Sequence, residues 1–266
     1  MRSKSVAALA SLTFVLVACG VEGSDSGVGV TDDEPMLQIV SESGFGPVEM
    51  VLNTGPRYTL LGDGSLIYQG FQTLEYPGRL VPPYMVATLD DGHVSDVVTV
   101  IEKIGLPEIE DEVDDSAMQM VADASTEVVT YWDSQGRHRL AVYALGIEEP
   151  TSGRNAAFLE LINTLDAFLA QAPAEPFQPE RVRIVAGPGT PDPGFEDARE
   201  WPLERTDLSD WEVLANEWRC TALEGPVPDV FEDATQATTW NHPDGSSEQV
   251  KLLVRPLHPG EADCPG

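Results

Sequence analysis

The chain has 266 residues, with 45 aspartates and glutamates against 15 lysines and arginines, and a formal net charge of −30 at pH 7. A surface of that sign repels phosphate backbones and anionic lipid headgroups, which argues against nucleic acid as a partner and against a polybasic membrane contact. The length suits one large domain or two small ones, and beyond the N-terminal segment nothing approaches the ~18 apolar residues of a membrane span.

Arg2 and Lys4 open the chain, and Val6 to Ala18 follow as an uncharged, mostly apolar run. At ~1.5 Å per helical residue that run is ~20 Å long, short of the ~30 Å hydrocarbon core, so residues 1–18 read as an export signal. The run closes on Leu16-Val17-Ala18-Cys19, which resembles the lipobox of bacterial lipoproteins. The resemblance implies diacylglycerol on the Cys19 thiol, cleavage just before it, and a protein held at the extracytoplasmic face of the cell membrane. Lipidation of Cys19 leaves Cys220 and Cys264 as one pair in an oxidising compartment. Their bridge would close a loop of about 45 residues, worth ~4 kcal/mol on the chain-entropy argument. A free buried pair or a two-thiol metal site competes, without any C-x-x-C or Cys/His cluster to support it.

Residues 19–35, rich in glycine, serine and acid and free of apolar periodicity, read as a tether with a reach of ~20–24 Å. The body begins near Met36. Met36 to Ser41 and Val48 to Leu52 are expected strands. Tyr58 to Leu61 and Ser65 to Tyr68 form a hairpin across Gly62-Asp63-Gly64, where Asp-Gly supplies the positive φ of a tight turn. Tyr84 to Leu89 is a further strand. Asp90-Asp91 caps a helix whose Val94, Val97, Val98, Ile101 and Ile104 share one face, and Gly105 ends it. Glu127 to Trp132 and His138 to Leu145 form a second hairpin. Ser152 caps a helix carrying Phe158, Leu161, Ile162, Leu165, Phe168 and Leu169, which stops before Pro173. Arg181 to Ala186 is the last strand of a main domain, 36–186. The Pro/Gly-rich stretch 187–200 reads as a linker that continues neither a helix nor a central strand. Residues 201–266 then form a small lobe with a short helix at Val227 to Thr235 and a hairpin of Thr238-Thr239-Trp240 with Val250 to Val254. A thin core of that size is usually pinned by a bridge. The order of elements predicts an α+β fold, an antiparallel sheet of hairpins with helices on one face, plus the disulfide-pinned C-terminal lobe.

Chemical motifs are sparse. No Gly-x-Ser-x-Gly elbow is present, and Ser65 reads as a turn residue. The histidines His93, His138, His242 and His258 are isolated and read as surface residues, although His242 and His258 share the disulfide loop. Glu108, Glu110, Asp111, Glu112, Asp114 and Asp115 offer oxygens of the kind Ca²⁺ takes. Counted from Asp111, however, Ser116 stands where an EF-hand needs glycine and Ala122 where it needs glutamate, so the run reads as a solvated loop with weak cation affinity. Acid pairs for glycoside hydrolysis are too numerous to mean anything, and Gly187-Pro188-Gly189 lacks the lysine and helix start of a phosphate loop. Trp211, Trp218 and Trp240 are candidate recognition aromatics. Arg137-His138-Arg139 is a basic hairpin rim.

The body resembles uncharacterised secreted lipoproteins of high-GC bacteria in Leu61-Gly62-Asp63-Gly64-Ser65-Leu66-Ile67-Tyr68 and in the Arg255-Pro256-Leu257-His258-Pro259-Gly260-Glu261…Cys264 ending. That resemblance implies no activity. The expectation is a lipid-anchored envelope protein, a non-catalytic binding or structural module whose partners are the membrane, through the lipid, and an envelope protein or glycan, with no cofactor. An extracytoplasmic hydrolase and an inhibitor-like or Ca²⁺-responsive module are the alternatives.

Overall fold

The computed structural model describes residues 31–265 other than 74, 120, 148–152 and 205–207. The export signal, Cys19, the start of the tether and the Ser152 cap lie outside the described residues. The fold is α+β, with helices and two mixed sheets.

The first half of the chain runs β1 (Pro35–Glu42), α1 (Val48–Leu52), β2 (Pro56–Leu61), β3 (Ser65–Gln69), β4 (Tyr84–Thr88), α2 (Asp91–Ile104), β5 (Asp111–Asp114), β6 (Thr126–Asp133), β7 (Gly136–Tyr143), α3 (Arg154–Leu169) and β8 (Glu175–Pro176). These strands pair in the order β5-β7-β6-β1-β2-β3-β4-β8. Both expected hairpins form. Leu60 faces Leu66 across the first, where Gly64 adopts φ 84° and Asp63 Oδ1 accepts the Ser65 N–H at 2.8 Å. In the second, Asp133 faces Gly136 across a two-residue turn.

Helix α2 starts and stops as its sequence dictates. The Asp90 carboxylate accepts the His93 N–H at 2.9 Å, and Gly105 takes the left-handed cap conformation. Its Val97, Ile101 and Ile104, with Phe158, Leu161 and Leu165 of α3, cover Leu37, Ile39, Leu60, Leu66, Val129 and Leu140 of the sheet. One core thus lies between the helix pair and the first sheet.

Three local expectations are corrected. Val48–Leu52 is a helical turn rather than a strand; Pro47 opens it by accepting the Met50 N–H, and the turn buries Leu52 against the second sheet. The tether ends before residue 35, because the Asp32 and Glu34 carbonyls accept the Asp63 and Gly62 N–H groups and dock it on the first hairpin. The acidic run is not a solvated loop: Asp111–Asp114 is β5, pairing in parallel with β7.

The second half contributes β9 (Arg181–Gly189), β10 (Asp197–Arg199), β11 (Glu212–Val213), β12 (Arg219–Glu224), β13 (Thr238–Asn241) and β14 (Gln249–Pro256). They pair in the order β10-β13-β14-β9-β12-β11. The change of sheet therefore falls between β8 and β9, not at 187–200, and the strand expected to close the first domain is central to the second sheet. β9 runs through Pro188 because β12 reaches only Ala186; beyond it Pro188 pairs with β14 alone, where its missing N–H costs nothing. The helix expected at Val227 to Thr235 is a 3-10 turn, Asp229–Phe231.

Alternation gives the second sheet two faces. Val182, Ile184, Ala186, Val250, Leu252 and Val254 point to a core with Trp240, Trp211, Phe231 and Leu80. Arg183, Val185, Lys251, Leu253 and Arg255 point the other way, where Val185 and Leu253 meet Trp218, Cys220 and Leu52. The residues after β14 return across this second face. They reach the side of the first sheet turned away from its helices, where Gln38 Nε2 donates to the Pro259 carbonyl and Thr59 Oγ1 lies 2.8 Å from His258 Nδ1.

Candidate functional site

A buried charge network holds this return in place. Arg183 and Arg255 are cross-strand neighbours in the β9–β14 register, like charges that need compensation. Glu261 accepts Nη1 and Nη2 of Arg255 at 2.8 and 2.9 Å, and its Oε2 also accepts the His258 N–H at 2.8 Å. Arg183 donates to the carbonyls of Asp263 and Ala262 at 2.8 and 2.6 Å. Beside them Cys264 is bonded to Cys220, so the expected disulfide is present.

Titration follows from this packing. Burial would raise the Glu261 carboxyl, but the Arg255 hydrogen bonds and charge and the His258 N–H outweigh it and hold it below the usual carboxylate range. Burial, with the Arg255 charge adding and the Glu261 charge opposing, pushes His258 down to about 4. Burial and the facing Arg255 push Arg183 down to about 10. His258 is the group here best tuned for proton chemistry, yet it is 1 % exposed. Its ring is wedged between Thr59, Tyr84 and Phe177, out of reach of any substrate. The network is therefore a lock between the sheets.

A cleft of about 440 Å³ opens in front of this lock, at the seam between the sheets. Ligand pockets are typically ~300–1,000 Å³ and favour such seams. Tyr84, Leu252 and Leu253 line it from the strands, and Glu49, Asn53, Thr54 and Gly55 from α1 and the turn after it. The segment joining β3 to β4 contributes Gln72, Tyr76 and Arg79, and the turn before β13 contributes Gln236. The two walls are tied by backbone bonds: Leu80 N–H to the Ala234 carbonyl at 3.0 Å and Gln236 N–H to the Gly78 carbonyl at 2.9 Å. Gly55 is obligatory, since a Cβ there would stand 2.6 Å from Arg255 Nη1 and 2.9 Å from the Tyr84 hydroxyl. Asn53 Oδ1 is buried without a donor among the described residues.

The cations of the cleft set it apart. Most described lysines and arginines of this acidic chain are spent on carboxylates or carbonyls, as Arg57 is on Asp166 at 3.1 Å. Arg79 and Lys251 line the same cleft, and neither has a carboxylate within 4 Å among the described residues. At the rim Tyr76 bonds Asp192, which raises its phenol first of all through that hydrogen bond, and Phe195 stands edge-on to its ring at 5.5 Å. A larger cleft of about 860 Å³ lies at the other end of β9 and β14, where Glu217, Asp244 and Glu248 face Arg219 and His242. Acids outnumber the single arginine there, and both sides of the seam are not engaged.

The candidates drawn from the sequence fall elsewhere. Trp211, Trp218 and Trp240 are not recognition aromatics on the surface; all three are buried in the cores of the second sheet. Asp111 pairs with Arg139 at 3.0 Å, Glu112 with Arg154, and Asp114 with Asn155, while Glu110 lends its carbonyl to Arg139 N–H. Hydrogen bonds from Ser116 and Asn155 hold the Asp114 carboxyl down. Asp111, Glu112 and Asp114 are spread along β5, Glu108 and Asp115 lie outside it, and among the described residues no three metal-ligating side chains converge.

His138 and His258 are buried rather than on the surface, and His242 pairs with Asp244 instead of meeting His258. Ser65 is the first residue of β3 rather than a turn residue, its hydroxyl donating to Asp63. Arg79, Lys251, Gln236 and Tyr76 went unread in the sequence. The one signal was Val250-Lys251-Leu252-Leu253-Val254-Arg255, two cations inside an apolar strand. The chain matches no family model, no curated protein and no solved structure.

Proposed function

We propose that this is a cell-envelope protein, anchored through a lipid on Cys19, whose body binds a ligand non-catalytically in the seam cleft. The observation that carries the binding role is a pair of cations, Arg79 and Lys251, with no carboxylate partner among the described residues, in a cleft shaped by both sheets. The lipobox resemblance supports the anchor. The Cys220–Cys264 bond is of the kind that persists in oxidising compartments and fits an extracytoplasmic address. His258 and Arg183, both strongly shifted by burial, sit behind the cleft in the lock rather than in it, which favours binding over turnover.

Two measurements test the reading. Intact mass of protein from its native host should show an acylated glycerol on a chain starting at Cys19, and Cys19→Ala should move the protein to the soluble fraction. An unmodified, soluble product overturns the anchor. Hydrogen exchange of the full chain mixed with solubilised envelope glycans and peptides should show protection at residues 70–83 and 250–253. Protection elsewhere, or none, overturns the cleft.

A further inference from the structure

We infer that the cleft binds an acidic sugar, a glycan unit bearing a carboxylate, with the carboxylate on Arg79 and Lys251, the hydroxyls on the glutamine amides, and one sugar face against Tyr76. This deepens the binding role proposed above and rests on it.

With a net charge of −30, the chain has acids to spare for every base, yet two bases in one cleft have no carboxylate within 4 Å among the described residues. A carboxylate on the ligand would complete them, and charge-assisted bonds of this kind are the strong ones. The same global charge, and Glu49 in the wall, disfavour ligands of dense charge such as oligophosphates, because, of the lining bases, Arg57 is paired with Asp166 and only Arg79 and Lys251 lack a carboxylate among the described residues.

The rest of the lining speaks for polyols. Gln69, Gln72 and Gln236 present amides, each both donor and acceptor, which match the adjacent hydroxyls of a sugar ring. Tyr76 is 54 % exposed and Phe71, in the same segment, 92 %. Rings held open in this way suit the apolar C–H face of a pyranose. Tyr76 is already set for the task, because its hydroxyl is bound to Asp192 and its edge packed by Phe195, so the ring is ordered before any ligand arrives.

Titration calorimetry of the full chain in detergent would use three probes: a panel of galacturonic, mannuronic and guluronic trisaccharides, neutral maltotriose, and an aspartate-rich pentapeptide. Oxidative footprinting of Tyr76 would locate the site. At least one uronide should bind, weaken with added salt, and bind ~10–100-fold more tightly than maltotriose. Arg79→Gln and Lys251→Gln should each weaken it by a similar factor, with thermal unfolding unchanged. Equal binding of maltotriose with Tyr76 protected removes the carboxylate claim and leaves the cleft standing. Tighter binding of the peptide in an Arg79-dependent manner removes the sugar claim and also leaves the cleft. Absence of protection at Tyr76 with every probe removes both.

Discussion

The helix-facing side of the first sheet is closed by aliphatic and aromatic side chains from Leu37 to Leu165, whereas the inner side of the second sheet buries Arg183, Arg255 and His258 among its apolar residues beside the half-buried Glu261. Apolar burial is non-directional, so α2 and α3 need only present the right stripe to the sheet. A charge network is directional, and here it sets where the C-terminal return crosses the second sheet and, through Thr59 and Gln38, how that sheet meets the first. The difference predicts that the first region answers mainly to truncation, and the second to charge, redox state and pH.

The largest effect should come from Glu261→Gln, which keeps the shape of the side chain and leaves Arg255 charged, 1 % exposed and opposite Arg183. Breaking a buried pair in this way costs about 3–5 kcal/mol, measurable as a lower urea midpoint. A sharper version replaces both partners, Arg255→Met with Glu261→Leu. Recovery of most of the lost stability would show that the pair specifies geometry more than it stabilises, and no recovery would show the reverse. Leu161→Ala in the first core should cost about 2–5 kcal/mol as well, but with no dependence on pH or salt. Next comes the bridge between β12 and the C-terminal return. With 44 residues of separation, Cys220→Ser with Cys264→Ser should lower stability by about 4 kcal/mol, and reductant should do the same to the native chain. Unchanged unfolding in reductant would count against a role for the bridge in holding the lock.

Acidification should separate the two regions further. His258 falls from its ordinary 6.5 to about 4 on folding, so between those values the unfolded chain binds more protons. Its contribution is fully present above pH 6.5 and is lost as pH falls towards 4, a total of about 3 kcal/mol. Glu261, held below its ordinary value, acts in the same direction at lower pH still, with Arg255, Arg183 and Tyr84 as the other groups facing the site. His138 in the first sheet has the opposite sign. Burial lowers it, but the Ile109 carbonyl at 2.7 Å and Asp133 at 3.1 Å outweigh that, so it is raised. Its contribution is present below pH 6.5 and disappears as pH rises through the raised value. Stability curves of His258→Gln should lose the slope between pH 4 and 6.5. Those of His138→Gln should keep that slope and change only nearer neutrality.

What was legible in the sequence divides along the same line. Helix α2 was readable at both ends because the cap at Asp90-Asp91, the apolar spacing and Gly105 are local and agree with one another. Both hairpins of the first sheet were readable for the same reason. The turn at Val48–Leu52 was not, since five residues carry no reliable period and its fold is decided by Leu52 meeting Trp218 and Leu253 far along the chain. β5 was hidden by its own acidity, because the arginines that make it tolerable, Arg139 and Arg154, belong to later elements. The cleft was illegible almost entirely. Arg79, Gln236 and Lys251 come from three separate segments, and each taken singly is an ordinary polar residue.

The smallest effect tests whether the second sheet tolerates change where it is apolar. Gly187 lies on the face of β9 that carries Val185, and the Trp218 ring sits directly over it; a Cβ at this position would overlap the indole. Trp218 cannot retreat freely, because the Leu214 N–H is bonded to its carbonyl at 2.8 Å and its ring packs on Val185 and Leu253 beside the disulfide. Gly187→Ala should therefore cost about 1–3 kcal/mol as overpacking, with a change in tryptophan fluorescence as the ring is displaced. Pairing it with Trp218→Leu, which removes the overlap, should cost less than the sum of the two single changes. If the two costs simply add, the ring and the glycine do not hold each other in place. The apolar side of the seam is then as forgiving as the helix-covered core, and only the charges distinguish the second sheet.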